Sequence, residues 1–305
     1  MIQETPHEEV VRAALWLLLG VLGGLGLDLC AKELLQSYTL GQFIFLRSLI
    51  GILILLAITP RFGGLAALKT REIKWHVIRA IFAVGAMFGF FFGLAHMPLV
   101  NALTLGYTAP LIVTALSAWF LGDRVGWRRW LAVSIGFLGV IVMLRPGSGE
   151  FSFAAAAVLV AAFCYACQAI TARKLSNSES TISLSFWVIF GPLLVATASL
   201  DTGTWLAPDT AGWVLFIGAA TCSVVAWFGF VNGYRAVSPA HLAPIEYTAL
   251  VGGAIAGYVI WDEVPDGWVI TGAMIIIVSS LFVVYRSDRQ SAPAGGPSAG
   301  TGDLV

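Results

Sequence analysis

Ten runs of about twenty mostly apolar residues succeed one another along this chain, each long enough to cross a hydrocarbon core of about 30 Å as a helix. They span 12–35, 39–59, 76–96, 99–121, 130–145, 153–172, 181–200, 212–234, 239–260 and 268–285. The connecting segments are short and leave no room for a separate soluble domain. A composition of 58% hydrophobic and 11% charged residues over 305 positions lies outside the soluble class. The predicted fold class is all-α integral membrane, with ten transmembrane helices. Seventeen Lys and Arg balance seventeen Asp and Glu, so no basic surface is available for nucleic acid.

The positions of the charges give an orientation. Arg12, Arg61, Lys69, Arg71, Lys74, Arg79, Arg124, Arg128, Arg129, Arg173, Lys174, Arg235, Arg286 and Arg289 fall on the face that carries both termini. Lys32 and Arg145 fall near the other face, and Arg47 lies within the second span. The positive-inside rule therefore places both termini in the cytoplasm of a cell whose inner membrane holds the chain. Trp75, Trp127 and Trp130 near one boundary, with Trp205, Trp213, Trp261 and Trp268 near the other, suit interfacial belts. Residues 1–11 form a cytoplasmic N-terminus that is acidic and lacks the basic region of a cleavable signal. Residues 287–305, rich in Ala, Gly, Ser and Pro, read as a disordered cytoplasmic tail. Cys30, Cys164, Cys167 and Cys222 all lie inside spans. The Cys164-x-x-Cys167 spacing on a membrane helix reads as packing rather than redox or zinc chemistry.

Sliding the sequence on itself by 140 residues aligns Phe88-Gly89-Phe90 with Phe228-Gly229-Phe230, and Gly93 with Gly233. The same register aligns Tyr107-Thr108-Ala109 with Tyr247-Thr248-Ala249, and Asp123 with Glu263. The chain is thus read as two halves, 12–145 and 153–286, of five spans each. Five is odd, so the second half enters the membrane upside down, with Asp123 on the cytoplasmic side and Glu263 on the outer side. Inverted repeats let one central cavity face either side through two related packings, which is what alternating access requires.

The chain resembles the drug/metabolite transporter superfamily, of the type with two EamA domains. The stretches that carry the likeness are Leu121-Gly122-Asp123-Arg124-Val125-Gly126-Trp127-Arg128-Arg129-Trp130 entering Gly136-Phe137-Leu138-Gly139-Val140, and Asp262-Glu263-Val264-Pro265-Asp266 entering the last span. The resemblance implies two inverted five-helix repeats and transport of a small metabolite, in either direction, among substrates such as amino acids, S-adenosylmethionine or riboflavin. Asp262 stands where the family often has Gly, Asp123 where it often has Glu, and Glu246 where some relatives carry Arg or Gln.

An ionised residue at membrane depth costs several kcal/mol unless paired or hydrated, so Asp28, Lys32, Arg47 and Glu246 are the candidates for function. At about 1.5 Å per residue, Asp28 lies roughly 10 Å and Arg47 roughly 12 Å from the outer ends of their spans, which predicts a contact between them. Lys32, one turn beyond Asp28, could compete for the same carboxylate. A fixed ion pair between the first two spans and a role in substrate or proton handling both fit. Glu246 lies about 10 Å from the cytoplasmic end of the ninth span, after Pro244. It is a candidate proton carrier or amine site, or a structural partner of Arg79 or Arg235.

Tyr107 and Tyr247 occupy equivalent places where a cavity bounded by both halves would be lined, and each offers a ring face and a hydroxyl. Trp227 and Trp187 could add apolar walls. Gly20 with Gly24, and Gly253 with Gly257, have the spacing that lets helices approach closely, within the bundle or at a homodimer seam. His96 and His241 at span ends read as solvated, and Asp123 and Glu263 as partners of helix dipoles.

Neither a Walker A sequence nor H-E-x-x-H occurs, and Gly296-Pro297-Ser298-Ala299-Gly300 lies in the tail without strand or helix context. The expectation is a secondary transporter, not an enzyme, with no metal or cofactor. It exports or exchanges an amino-acid-like metabolite, its partners being that small molecule and the bilayer. Tyr107, Tyr247, Glu246, Arg47 and Trp227 are the expected substrate contacts; Asp28, Arg47, Lys32 and Glu246 are the expected ion-pair or proton-coupling groups. Import of S-adenosylmethionine or riboflavin and a passive channel are the alternatives.

Overall fold

The computed structural model describes residues 6–120, 126–145, 152–175, 179–236 and 244–291. These form helices α1 (Pro6–Leu34), α2 (Leu40–Ile58), α3 (Ile73–His96), α4 (Leu99–Gly106), α5 (Ala109–Phe120) and α6 (Trp127–Leu144). The second half contributes α7 (Phe153–Leu175), α8 (Thr181–Ala198), α9 (Thr210–Ala236), α10 (Thr248–Trp261) and α11 (Gly267–Ser291). No strand occurs among the described residues. Seven segments are long and apolar enough to cross a membrane, and Ile182–Ala198 and Gly267–Val283 are apolar but shorter. Taking α4 with α5 as one interrupted span, and α10 with the helical turn just before it as another, the helices follow the ten expected runs. Asp123, Arg124, His241 and residues 292–305 lie outside the described residues.

Two helices exceed their expected runs the most. Helix α1 starts at Pro6, where a proline loses no helical hydrogen bond. Helix α11 runs on to Ser291, into the segment expected to be disordered, because no Gly or Pro interrupts the chain between Gly272 and Ser291.

The packing of the helices is symmetric between the halves. The most extensive contact joins α1 to α9, and the next joins α3 to α7. These are one contact seen twice, because α1 and α7 open the two halves while α3 and α9 are their third spans. Contacts of α2 with α9 and of α3 with α8 form a second such pair, and α6 with α11 and α2 with α8 lie across the symmetry axis itself. Each half therefore buries its first helix on the other half's third.

Glycines make those approaches. A Cβ on Gly89 of α3 would come within 2.7 Å of the Ala157 carbonyl oxygen of α7, and one on Gly93 would overlap Val158. Their repeat equivalents do the same against α1: a Cβ on Gly229 would run into the backbone of Gly20, and one on Gly233 would reach 3.2 Å from Leu17 Cβ. The stripe on α1 is Gly20 with Gly23, whose Cβ would stand 2.7 Å from the Ala226 nitrogen. Gly24, expected in that role, faces open space instead, with nothing within 4 Å of its Cβ position. The small-residue faces at Gly20 and Gly253 are filled inside the bundle, the latter by Leu103.

At the end of the bundle away from the termini, Phe43 and Phe91 meet edge to face at 4.9 Å, and Tyr38 meets Phe216 at 5.1 Å, tying α2, α3 and α9 together. The buried Gln42 amide accepts from the Leu206 amide at 3.2 Å and donates to its carbonyl at 2.5 Å, which pins the α8–α9 loop over the end of α2. Helix α10 ends at Asp262 in the left-handed conformation, φ 54°. An aspartate tolerates that conformation better than most side chains, and glycine tolerates it without strain.

Candidate functional site

The fourth span is not one helix. It breaks at Tyr107-Thr108, where Tyr107 has ψ 2° and the Thr108 hydroxyl donates back to the Leu105 carbonyl at 2.6 Å. The repeat-equivalent break occurs at Tyr247-Thr248, where Tyr247 has ψ −11° and the Thr248 hydroxyl donates to Ile245 O, also at 2.6 Å. In each case a threonine hydroxyl offers the backbone a local alternative to the helical ladder, with a proline close by, Pro110 or Pro244. An interrupted helix at membrane depth is tolerated where it is enclosed by protein or lines a cavity.

The two breaks meet. The Tyr107 and Tyr247 rings lie 5.1 Å apart at 36°, and the Tyr107 hydroxyl donates to the backbone carbonyl of Glu246 at 2.7 Å. Asp28, Glu246, Tyr165 and Tyr247 all lie within electrostatic range of the Tyr107 hydroxyl. Tyr165 of α7 belongs to this group although nothing in the sequence singled it out. It is 56% exposed and interacts electrostatically with Glu246 and the Tyr107 hydroxyl.

The expected Asp28–Arg47 contact is not a direct one. The two interact through the electric field, but among the described residues no hydrogen bond or ion pair joins them. Arg47 instead donates to the Met87 sulfur at 3.3 Å and lies 5.5 Å from the centre of the Phe91 ring, and its Nε has no partner. Helix α3 thus holds the guanidinium from one side, short of the carboxylate. One turn from Asp28 along α1 is Gly24, and one turn from Arg47 along α2 is Gly51. A Cβ at either would meet nothing within 4 Å. Both lie toward the end of the bundle that carries the termini.

Lys32 does not compete for Asp28. Its ammonium pairs with Glu263 Oε1 at 2.5 Å and donates to the Met97 carbonyl at 3.0 Å, while Glu263 Oε2 accepts from the Leu99 amide at 2.8 Å. Glu263 does meet a helix N-terminus, but that of α4 rather than that of the helix that follows it in sequence. Trp261 lies under the ammonium at 5.4 Å, and its indole donates to Glu33 at 3.2 Å. A cavity of about 440 Å³ adjoins this cluster, lined in part by Met97, Pro98, Asn101, Arg145, Pro265 and Asp266.

Trp227 is not drawn into the central group: it is 38% exposed on α9, and no described ring contact or hydrogen bond links it to the tyrosines. Trp187 packs against His76, Phe186 and Phe190. Arg79 is buried in α3 and donates to the Leu184 carbonyl at 3.4 Å, so it does not pair with Glu246; the Arg235 side chain lies outside the described residues.

The opposite end of the bundle carries a second polar cluster. Glu179, just before α8, accepts from Thr70 at 2.6 Å and Ser183 at 2.9 Å and lies 3.4 Å from His76. Burial works to raise its pKa, but the hydrogen bonds from Thr70 and Ser183, with the nearby His76, prevail and hold the carboxyl below the usual range. At the end that carries Lys32 and Glu263, Asp266 accepts from the Val269 amide at 2.8 Å as the cap of α11 and pairs with Arg145. That amide bond, reinforced by the arginine, lowers its pKa despite a small opposing effect of burial. Among the described residues no three His, Cys, Asp or Glu side chains gather as a metal site, and the four cysteines are free thiols.

Comparison with known proteins matches the model of the EamA-like transporter family to residues 11–145 and 152–285. The chain is 30% identical over 280 residues to the S-adenosylmethionine uptake transporter of Rickettsia felis, covering 90% of this chain and 92% of that one. It is 28% identical over 246 residues to the riboflavin transporter of Vibrio cholerae, with 79% and 82% covered. Identity to the pseudopaline exporter CntI of Pseudomonas aeruginosa is 25% over 251 residues, with 82% and 88% covered. A solved crystal structure superposes with a TM-score of 0.65 at 19% identity, covering 92% of this chain and 99% of the other, which shows a shared fold.

Proposed function

The chain belongs to the EamA-like transporter family, and on that premise we propose that it carries a zwitterionic, amino-acid-like metabolite across the inner membrane by alternating access, as an exporter or exchanger. The observation that carries this reading is the gap between Asp28 and Arg47. The two charged groups interact at depth with no ion pair or hydrogen bond joining them, and the guanidinium Nε has no partner. A substrate bearing both an ammonium and a carboxylate would bridge the gap, its carboxylate on Arg47 and its ammonium on Asp28. Tyr107, Tyr247 and Tyr165 would then supply ring faces for the rest of the molecule, and Glu246 a further acceptor. Isolated charges at this depth are unfavourable, and a ligand that completes the pairing is favoured accordingly.

We read the basic residues on the terminal face as facing the cytoplasm, and the apolar side chains exposed along the bundle, among them Leu15, Leu22, Ile255 and Val278, as facing lipid. Import of S-adenosylmethionine is the second reading. The Rickettsia relative supports it, and that compound carries the ammonium and carboxylate this gap would bind. Riboflavin has neither group and fits the gap poorly.

Flux in proteoliposomes tests the proposal. Saturable uptake and counterflow of labelled α-amino-acid compounds, S-adenosylmethionine included, are expected, with competition lost when the competitor lacks its amino or its carboxyl group. Non-saturating conduction would show a channel. Saturable flux of riboflavin with no effect of zwitterions would overturn the substrate class.

A further inference from the structure

We propose that Lys32 and Glu263 are the latch of the mouth at the end of the bundle away from the termini: their ion pair closes the central site on that side and parts when the site opens there. The inference rests on the alternating-access reading above. Lys32 lies one helical turn beyond Asp28 on the same face of α1, about 6 Å nearer the bundle end. Anything held between Asp28 and Arg47 must pass the latch to leave in that direction.

The connections are those of a closure. Lys32 belongs to α1, Met97 to the α3–α4 turn, Leu99 to the start of α4 and Glu263 to the α10–α11 loop, so a single pair of charges ties two segments of the first half to one of the second. Both Glu263 oxygens are used, one on the ammonium and one on the first amide of α4, where the helix dipole favours an anion. Gly257 leaves room for that carboxylate: a Cβ there would stand 3.2 Å from Glu263 Oε2.

The chemistry suits a contact that opens. The side chains are 10% and 19% accessible, so water can reach both groups as soon as they separate. An ion pair in such a place gains little net free energy over its hydrated, parted form. The glycine-packed α1–α9 and α3–α7 contacts are apolar and interlocked, and they have no comparable hydrated alternative. Beside the latch, the cavity of about 440 Å³ shares Met97 and adjoins Glu263 at Val264, giving the parted segments space to enter. The open space at Gly24 and Gly51 lies on the other side of the two central charges. This structure is therefore shut at the latch, with room for a side chain at Gly24 behind it.

A reporter thiol tests the idea without knowledge of the substrate. In a chain with Cys30, Cys164, Cys167 and Cys222 replaced by serine, Gly24→Cys places one thiol in the open space behind Asp28. A membrane-impermeant cationic thiol reagent is then applied to right-side-out and to inverted vesicles. In the parent, labelling is expected to be slow from the latch face and fast from the terminal face. Lys32→Ala or Glu263→Gln should speed labelling from the latch face roughly tenfold, the change given by about 1.4 kcal/mol of lost bias toward the closed state. The exchange Lys32→Glu with Glu263→Lys should slow it again, which a general loss of folding would not do. Unequal labelling in the parent that neither single variant alters overturns the latch and leaves the transporter reading standing. Equal labelling of the parent from both faces overturns both.

Discussion

Tyr107 and Tyr247, 140 residues apart in sequence and equivalent in the repeat, stand ring to ring at 5.1 Å where the fourth and ninth spans are both broken. The pseudo-symmetry axis therefore runs through the point at which each half gives up its helical ladder. Central binding and rearrangement of the halves would share that point.

Tyr107→Phe keeps the ring contact and removes the donor to the Glu246 carbonyl. The expected cost is about 1 kcal/mol, seen as a fall of a few degrees in the melting temperature of the purified protein, with a weakened apparent affinity. Tyr107→Ala should cost more on both measures. Equal behaviour of the two variants would mean that the ring contributes nothing.

Asp28 and Glu246 are the two acids of the central group. Replacing both, Asp28→Asn with Glu246→Gln, is expected to abolish the pH dependence of flux in vesicles while the protein still elutes as a folded species. Full pH-dependent flux in this double variant would remove both groups from proton handling.

Gly229→Val places a branched side chain against the Gly20 backbone, where neither neighbour can yield. A loss of about 1–3 kcal/mol or more is expected, measured by thermal unfolding in detergent. Gly24→Val, in open space, should leave the melting temperature nearly unchanged.

The Asp266 carboxyl has its pKa lowered in the fold, chiefly by the Val269 amide and then by Arg145. A depressed pKa means the stabilisation is complete above the unfolded carboxylate value, near 3.8, and is lost as the pH falls through the folded value below it. Melting curves taken from neutral pH into that acid range should show a decline that Asp266→Asn shallows. Parallel curves for the two proteins would assign the acid loss to other groups.

The all-helical class, the membrane habit and the two halves were legible because lipid crossing demands long apolar runs and because paired motifs such as Phe-Gly-Phe and Tyr-Thr-Ala survive in register. The helix breaks were not, since a Tyr-Thr pair is compatible with helix and the decisive hydroxyl-to-carbonyl bonds depend on local geometry. Charge at depth drew notice to Lys32 but not to its partner. Counting residues ranked Asp28 nearest, whereas Glu263 arrives from 231 positions away through a loop. Tyr165 and Glu179 were missed for the same reason: their neighbours come from other helices. Asp262 illustrates the reverse: the resemblance implied a position that favours glycine, and the structure has a left-handed helix end there.

The crossed embrace of first and third helices has a consequence for biosynthesis. A half-chain released alone has nothing to lay against its glycine-lined third helix, so it should be recognised as incomplete and degraded, whereas two separately expressed halves should rescue one another. Duplication in this chain has yielded mutual dependence, and the first five spans must wait in the bilayer until the eighth span, α9, has been inserted.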